Sequence, residues 1–108
     1  MIRAEFRLKS DNLVSVELSG HADSINSGYD LVCCAVSVLS QSILIGLTEV
    51  LGLEVDYSIE NGFLSFSLES MSEDEIEKCQ VLMRTMLLGL KRIELSYGKY
   101  ISTYVEEV

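Results

Sequence analysis

VDYSIENGFLSFSL, residues 55–68, decides the fold. Val55, Tyr57 and Ile59 alternate with polar residues before Asn61-Gly62, and Leu64, Phe66 and Leu68 alternate after it. An Asn-Gly pair between two alternating runs is a strong hairpin signal and predicts a type I′ turn. That register sets Ile59 opposite Leu64, Tyr57 opposite Phe66 and Val55 opposite Leu68, all on one apolar face. Such a face has to be covered by another layer.

Toward the N-terminus the same period recurs. Ala4, Phe6 and Leu8 alternate with Glu5, Arg7 and Lys9, and Val14, Val16 and Leu18 follow. A three-residue turn, Ser10-Asp11-Asn12 with Asn12 left-handed, would pair Leu8 with Val14, Phe6 with Val16 and Ala4 with Leu18, burying all six together. Between the hairpins an apolar helix is expected from Asp30, an N-cap or first-turn acid, toward Leu51, with Gly52 as its stop. Ser72 and Glu75 form a capping-box pattern. Ile76, Cys79, Leu82, Met83, Met86, Leu87, Leu90 and Ile93 then mark one amphipathic helix to about Tyr97-Gly98. A strand from Tyr100 to Val105 completes the order ββαββαβ. The expected fold is α+β, a two-layer sandwich with a mostly antiparallel sheet covered by two helices. The two ββα units share no helix motif, and only the first leads into a His and a Cys, so two equivalent sites are not expected.

The 108 residues are read as a single domain, 1–108, and 48% hydrophobic content supports a core without disulfide or metal staples. Three cysteines, two of them adjacent at Cys33 and Cys34, and the lack of a signal-like start point to a reducing, cytoplasmic compartment. Leu31 to Thr48 carries no charge, yet Ser37, Ser40, Gln41, Ser42 and Gly46 interrupt it and basic flanks are missing. A helix buried in protein is the expectation, with no membrane partner. A net charge of −9 argues against direct nucleic-acid binding and fits a cationic partner, or simply solubility. No GxGxxG or Walker pattern supports a nucleotide.

The chemistry concentrates in Gly20-His21 and Cys33. A thiol near a helix N-terminus feels unsatisfied N–H groups, and an imidazole one loop away can take its proton. The alternative is that His21 merely ends a strand and Cys33 is a small core residue. His21, Cys33, Cys34 and Cys79 supply zinc ligand types, but adjacent cysteines suit one tetrahedral ion poorly and no CxxC occurs, so no metal or other cofactor is expected.

The stretch GHADSINSGYDLVCCAVS, residues 20–37, resembles the signature of the ribosomal-processing cysteine protease family: His in GHA, then DxVC, then Ser four residues past the Cys. The resemblance extends over essentially the whole chain. It implies a cysteine endopeptidase that removes the N-terminal extension of the large-subunit ribosomal protein numbered twenty-seven. Under it His21 is the base and acid and Cys33 the nucleophile, with Gly20, Asp30 and Ser37 in support. Asp30 would cap the helix or orient His21. Ser37 would bond near the sulfur or back to the carbonyl of residue 33. Asp23, Ser27, Gly28 and Tyr29 belong to an expected substrate loop from Asp23 to Tyr29. Cys34 stands where the family typically has alanine; it is expected to face the core, with a vicinal disulfide the other option. The implied partner is the ribosomal precursor, whose basic residues after the cut suit the acidic chain. The family also implies a homodimer, for which sheet edges or the Met83/Met86/Leu87 region are candidate surfaces. A non-catalytic binding module for a cationic ribosomal peptide is the competing reading.

Overall fold

The structure is a computed structural model that describes residues 1–20 and 27–108, with the backbone alone for residues 27–30. The described elements are β1 (Ile2–Lys9), β2 (Asn12–Ser19), α1 (Ser27–Ile45), β3 (Asp56–Glu60), β4 (Phe63–Ser67), α2 (Glu73–Lys78), α3 (Gln80–Tyr97) and β5 (Ile101–Glu107). A π-helical turn, Gly46–Val50, prolongs α1, and Gly52 beyond it takes φ +68°, the left-handed stop expected there.

The strands form one mixed sheet in the order β3-β4-β2-β1-β5. β1 pairs antiparallel with β2 and parallel with β5. The chain is α+β, with helices on one face of the sheet; among the described residues three α-helices stand where two were expected. Helix packing closes over Ala4, Phe6, Val16, Leu18, Leu64, Phe66 and Ile101 with Val32, Val36, Leu47, Met83, Met86 and Leu90. Leu31–Val50 is long and apolar enough to cross a membrane by composition. Here its Val32, Val36, Ile43, Leu44 and Leu47 enter the core.

The first hairpin keeps two expected pairs, Ala4 with Leu18 and Phe6 with Val16, and loses the third. Lys9 pairs with Asn12, so the turn is the two residues Ser10 and Asp11, both with positive φ (51° and 67°), and Asn12 is already strand. The register shifts between Arg7 and Leu8, and Leu8 faces Leu13. This bulge brings Leu13 into the core cluster, while Val14 is buried as expected. In the second hairpin Ile59 pairs with Leu64 and Tyr57 with Phe66, while Val55 precedes the strand. Only Gly62 of the turn pair has positive φ, so the turn is not type I′, which needs it at both residues. β3 is exposed along its whole length as the free edge.

The expected single C-terminal helix is divided at Cys79. The capping box at Ser72 and Glu75 is present in both directions and starts α2. The Cys79 N–H then turns to the Ile76 carbonyl, a tighter i→i−3 step, and Gln80 opens α3. α1 and α3 run antiparallel in close contact: a Cβ on Gly89 would lie 2.9 Å from Leu39 Cδ2, and one on Gly46 2.9 Å from Leu82 Cδ1.

Candidate active site

Gly20 ends β2 under tight constraint. Its φ is +150°, a Cβ there would lie 2.8 Å from the Met1 carbonyl oxygen, and its N–H donates to the Gly62 carbonyl at 3.0 Å. The end of β2 is thereby held between the N-terminal strand and the β3–β4 turn. The residue that follows is His21, which with Asp23 lies outside the described residues.

Beside Gly20 opens a cleft of about 180 Å³, bounded by α1, the end of β2 and the tip of the β3–β4 hairpin. α1 contributes Cys33, Ser37 and Gln41, spaced by one helical turn each, with Val36 and Ser40 behind them. Ile2, Leu18, Ile59, Phe63 and Leu64 make much of the wall apolar, and Glu60 and Asn61 add polar groups. Ser40 is fully buried and spends its hydroxyl on the Val36 carbonyl at 2.7 Å. The cleft can receive an apolar side chain of a peptide, with a carboxylate on hand for a cationic neighbour.

Cys33 is half-buried in that cleft, whereas Cys34 is exposed. The expectation that Cys34 faces the core is therefore corrected. Adjacent helical residues diverge by about 100°, and the core side of α1 is taken by Val32 and Val36. Cys79 is buried beneath the α2–α3 step, and all three thiols are free. Among the described residues no group of three His, Cys, Asp or Glu side chains could hold a metal.

α1 begins earlier than the sequence suggested. Ser27, Gly28 and Tyr29 belong to its first turn, not to a loop, and the earlier part of the expected substrate loop lies outside the described residues. Asp30 is the first-turn acid and not the cap, a place where a carboxylate suits the helix dipole. Cys33 accordingly occupies the second turn, past the orphan N–H groups of the helix end. Gln41, Ile59, Glu60 and Phe63 were not singled out from sequence. The i+8 spacing of Gln41 from Cys33 was a usable signal, but the hairpin residues reach the cleft only because β4 pairs with β2.

The family model described as Cysteine protease Prp matches residues 1–102. The chain belongs to the cysteine protease Prp family. It is a cysteine protease of the ribosomal-processing kind. The ribosomal processing cysteine protease Prp of Bacillus subtilis (strain 168) is 31% identical, with 90% of each chain covered. That of Staphylococcus aureus (strain Mu50 / ATCC 700699) is 30% identical over 94% of this chain and 95% of its own. Among solved structures, a Streptococcus mutans protein superposes with a TM-score of 0.90 at 30% identity, covering 100% of this chain and 96% of that one. The Staphylococcus aureus Prp protease crystallised with a substrate peptide gives a TM-score of 0.85 at 20% identity, with 98% and 100% covered, and shares the fold.

Proposed function

We propose that this chain, acting as one domain over residues 1–108, is the endopeptidase that removes the N-terminal extension of the large-subunit ribosomal protein numbered twenty-seven, in the cytoplasm and as a homodimer. One observation carries the catalytic reading: Cys33 lines the same cleft as Gly20, the residue immediately before His21. The residue leading to the base and the nucleophile thus line one cleft, although they come from different elements, the end of β2 and α1. A relative from Staphylococcus aureus has been crystallised with a substrate peptide, which supports a peptide as the occupant of the cleft.

In this mechanism His21 takes the Cys33 proton and the sulfur attacks the scissile carbonyl, forming a C–S bond. Backbone N–H groups ahead of Cys33, at the start of α1, are the oxyanion donors in this reading, reached by a carbonyl that lies over the first turn. The C–N bond then breaks as His21 returns the proton to the leaving amine. Water, deprotonated by His21, attacks the thioester carbonyl, and the C–S bond breaks to release the acid and restore the thiol. Ser37 lies one turn from the sulfur on the cleft side and supports it or the bound peptide. The net charge of −9, with Glu60 at the cleft, complements basic residues after the cut.

Incubation with the unprocessed ribosomal protein, followed by intact mass, tests the reading. A single cut in wild type and Cys34→Ala, abolished in Cys33→Ala and His21→Ala, is the expected result. A folded wild-type protein that binds the precursor without cutting it would instead identify a binding module.

A further inference from the structure

Of the surfaces considered from sequence, the Met83/Met86 region is closed, since both methionines are fully buried. The sheet edges remain, and one of them borders the cleft. Among the described residues no strand lies beyond β3, whose Ile59 and Glu60 line the cleft that holds Cys33. The opposite edge, β5, contributes nothing to it. β3 has no proline, no lysine and no bulge against β4, so its outer side is open to pairing.

The ladder fixes which backbone groups that side offers. The Gly20 N–H donates to the Gly62 carbonyl at 3.0 Å and the Leu68 N–H to the Val14 carbonyl at 2.7 Å, so Gly62, Leu64, Phe66 and Leu68 turn their main chain toward β2. Alternate residues of an antiparallel strand face opposite neighbours. Phe63, Ser65 and Ser67 therefore bond to Glu60, Ser58 and Asp56, and the amides and carbonyls of Tyr57 and Ile59 point outward, away from the sheet. The side chains alternate too. Tyr57 and Ile59 pair with Phe66 and Leu64 on the helix side, while Asp56 and Ser58 lie on the open side, with Glu60 at the rim of the cleft.

Charge selects what can join. The chain has no Lys or Arg between Lys9 and Lys78, and β3 and its approach carry Glu54, Asp56 and Glu60. A second copy pairing along this edge sets these carboxylates against their like, whereas an extended segment with basic side chains neutralises them.

We propose that the peptide substrate joins the sheet as a sixth strand on β3. It is an extended segment with basic side chains that exchanges main-chain hydrogen bonds with Tyr57 and Ile59 and runs on into the Cys33 cleft. Main-chain bonds supply the hold, and alternate side chains the selection. Those beside Tyr57 and Ile59 fall on the apolar side next to the cleft, and those between them meet Asp56 and Glu60. The assignment rests on the peptidase reading above and adds to it the surface that aligns the chain to be cut.

Amide hydrogen exchange of the full chain as Cys33→Ala, followed by NMR with and without a saturating synthetic peptide spanning the cleavage site, tests the assignment. The Tyr57 and Ile59 amides are expected to exchange freely in the chain alone and about tenfold or more slowly with peptide, while the Ser58 amide, already bonded to β4, changes far less. Tyr57→Pro removes an outward N–H and leaves the ladder to β4 intact. In an otherwise wild-type chain it is expected to raise KM for the precursor about tenfold with kcat kept, and Tyr57→Ala, which retains that N–H, to raise it less. Circular dichroism verifies that each variant is folded. Bound peptide with no added protection at Tyr57 and Ile59, protection already present in the free chain through pairing between copies, or an unchanged KM in folded Tyr57→Pro would each overturn the edge and leave the peptidase reading standing. A precursor that wild type binds but does not cut overturns the peptidase reading, and the exchange experiment then judges the edge by itself. A chain that neither binds nor cuts it overturns both.

Discussion

Gly20 donates its backbone N–H to the carbonyl of Gly62 at 3.0 Å, tying the residue before His21 to the hairpin turn that walls the Cys33 cleft. Gly20 also lies close against the N-terminal strand, where the space for a side chain is already occupied by the Met1 carbonyl and Ile2 Cα.

Gly20→Ala is therefore expected to cost about 1–3 kcal/mol, from a strained φ and a backbone clash together. Thermal melts measure the loss. Cleavage of the precursor should fall further than stability alone explains, because Gly20 itself lines the cleft and sets where the chain leaves β2 toward His21. A variant with unchanged melting temperature and full activity would show that the close approach is not needed.

Gln80 does for the β1–β2 bulge what a neighbouring strand would do. Its side-chain oxygen accepts from the Leu13 N–H at 2.8 Å and its amide donates to the Leu13 carbonyl at 3.0 Å, with a further bond to Ile76 at 3.0 Å. Gln80→Ala leaves Leu13 backbone groups unpaired at the edge of the core and should destabilise by about 2 kcal/mol. Gln80→Glu keeps the acceptor but loses the donor, and should fall between the two in urea midpoint.

Burial pushes the Cys79 thiol up from its ordinary value, and the charge of Glu75 adds to the shift. The folded chain thus favours the protonated thiol more than the unfolded chain does. Its contribution to stability is complete below the unfolded thiol value of about 8.5 and is lost as pH rises through the higher folded value. Urea midpoints measured from neutral to alkaline pH should decline, and Cys79→Ala should flatten that decline even though it lowers the neutral-pH stability by opening a cavity. An identical decline in both proteins would place its origin elsewhere.

The three thiols should separate by exposure in an alkylation experiment read by peptide mapping. Cys79 stays unmodified until the protein unfolds. A peptide spanning the cleavage site should protect Cys33 and leave the rate at Cys34 unchanged, since only Cys33 lines the cleft. Protection of Cys34 in place of Cys33 would exchange their assignments.

Local patterns carried much of the fold. The register of Phe6 with Val16 and of Tyr57 with Phe66, the Ser72–Glu75 capping box and the stop at Gly52 follow from period, turn residues and caps within a few positions of one another. The motif around Gly20 and Cys33 likewise identified the family, because the residue types and spacing of a short segment are enough to carry it.

Tertiary contacts decided the rest. Leu13 as well as Val14 is buried, because a two-residue turn and a bulge altered the strand by one position, and Gln80, distant in sequence, pairs with the Leu13 backbone. The step at Cys79 divides a helix whose apolar period runs on unbroken. Ile59, Glu60 and Asn61 meet Cys33 only through the pairing of β4 with β2. Alternation and helical period establish which side chains share a face, but they hold no information about which faces meet. That depended on packing the helices over this particular strand order, which put Cys33 in a cleft and left its neighbour Cys34 outside.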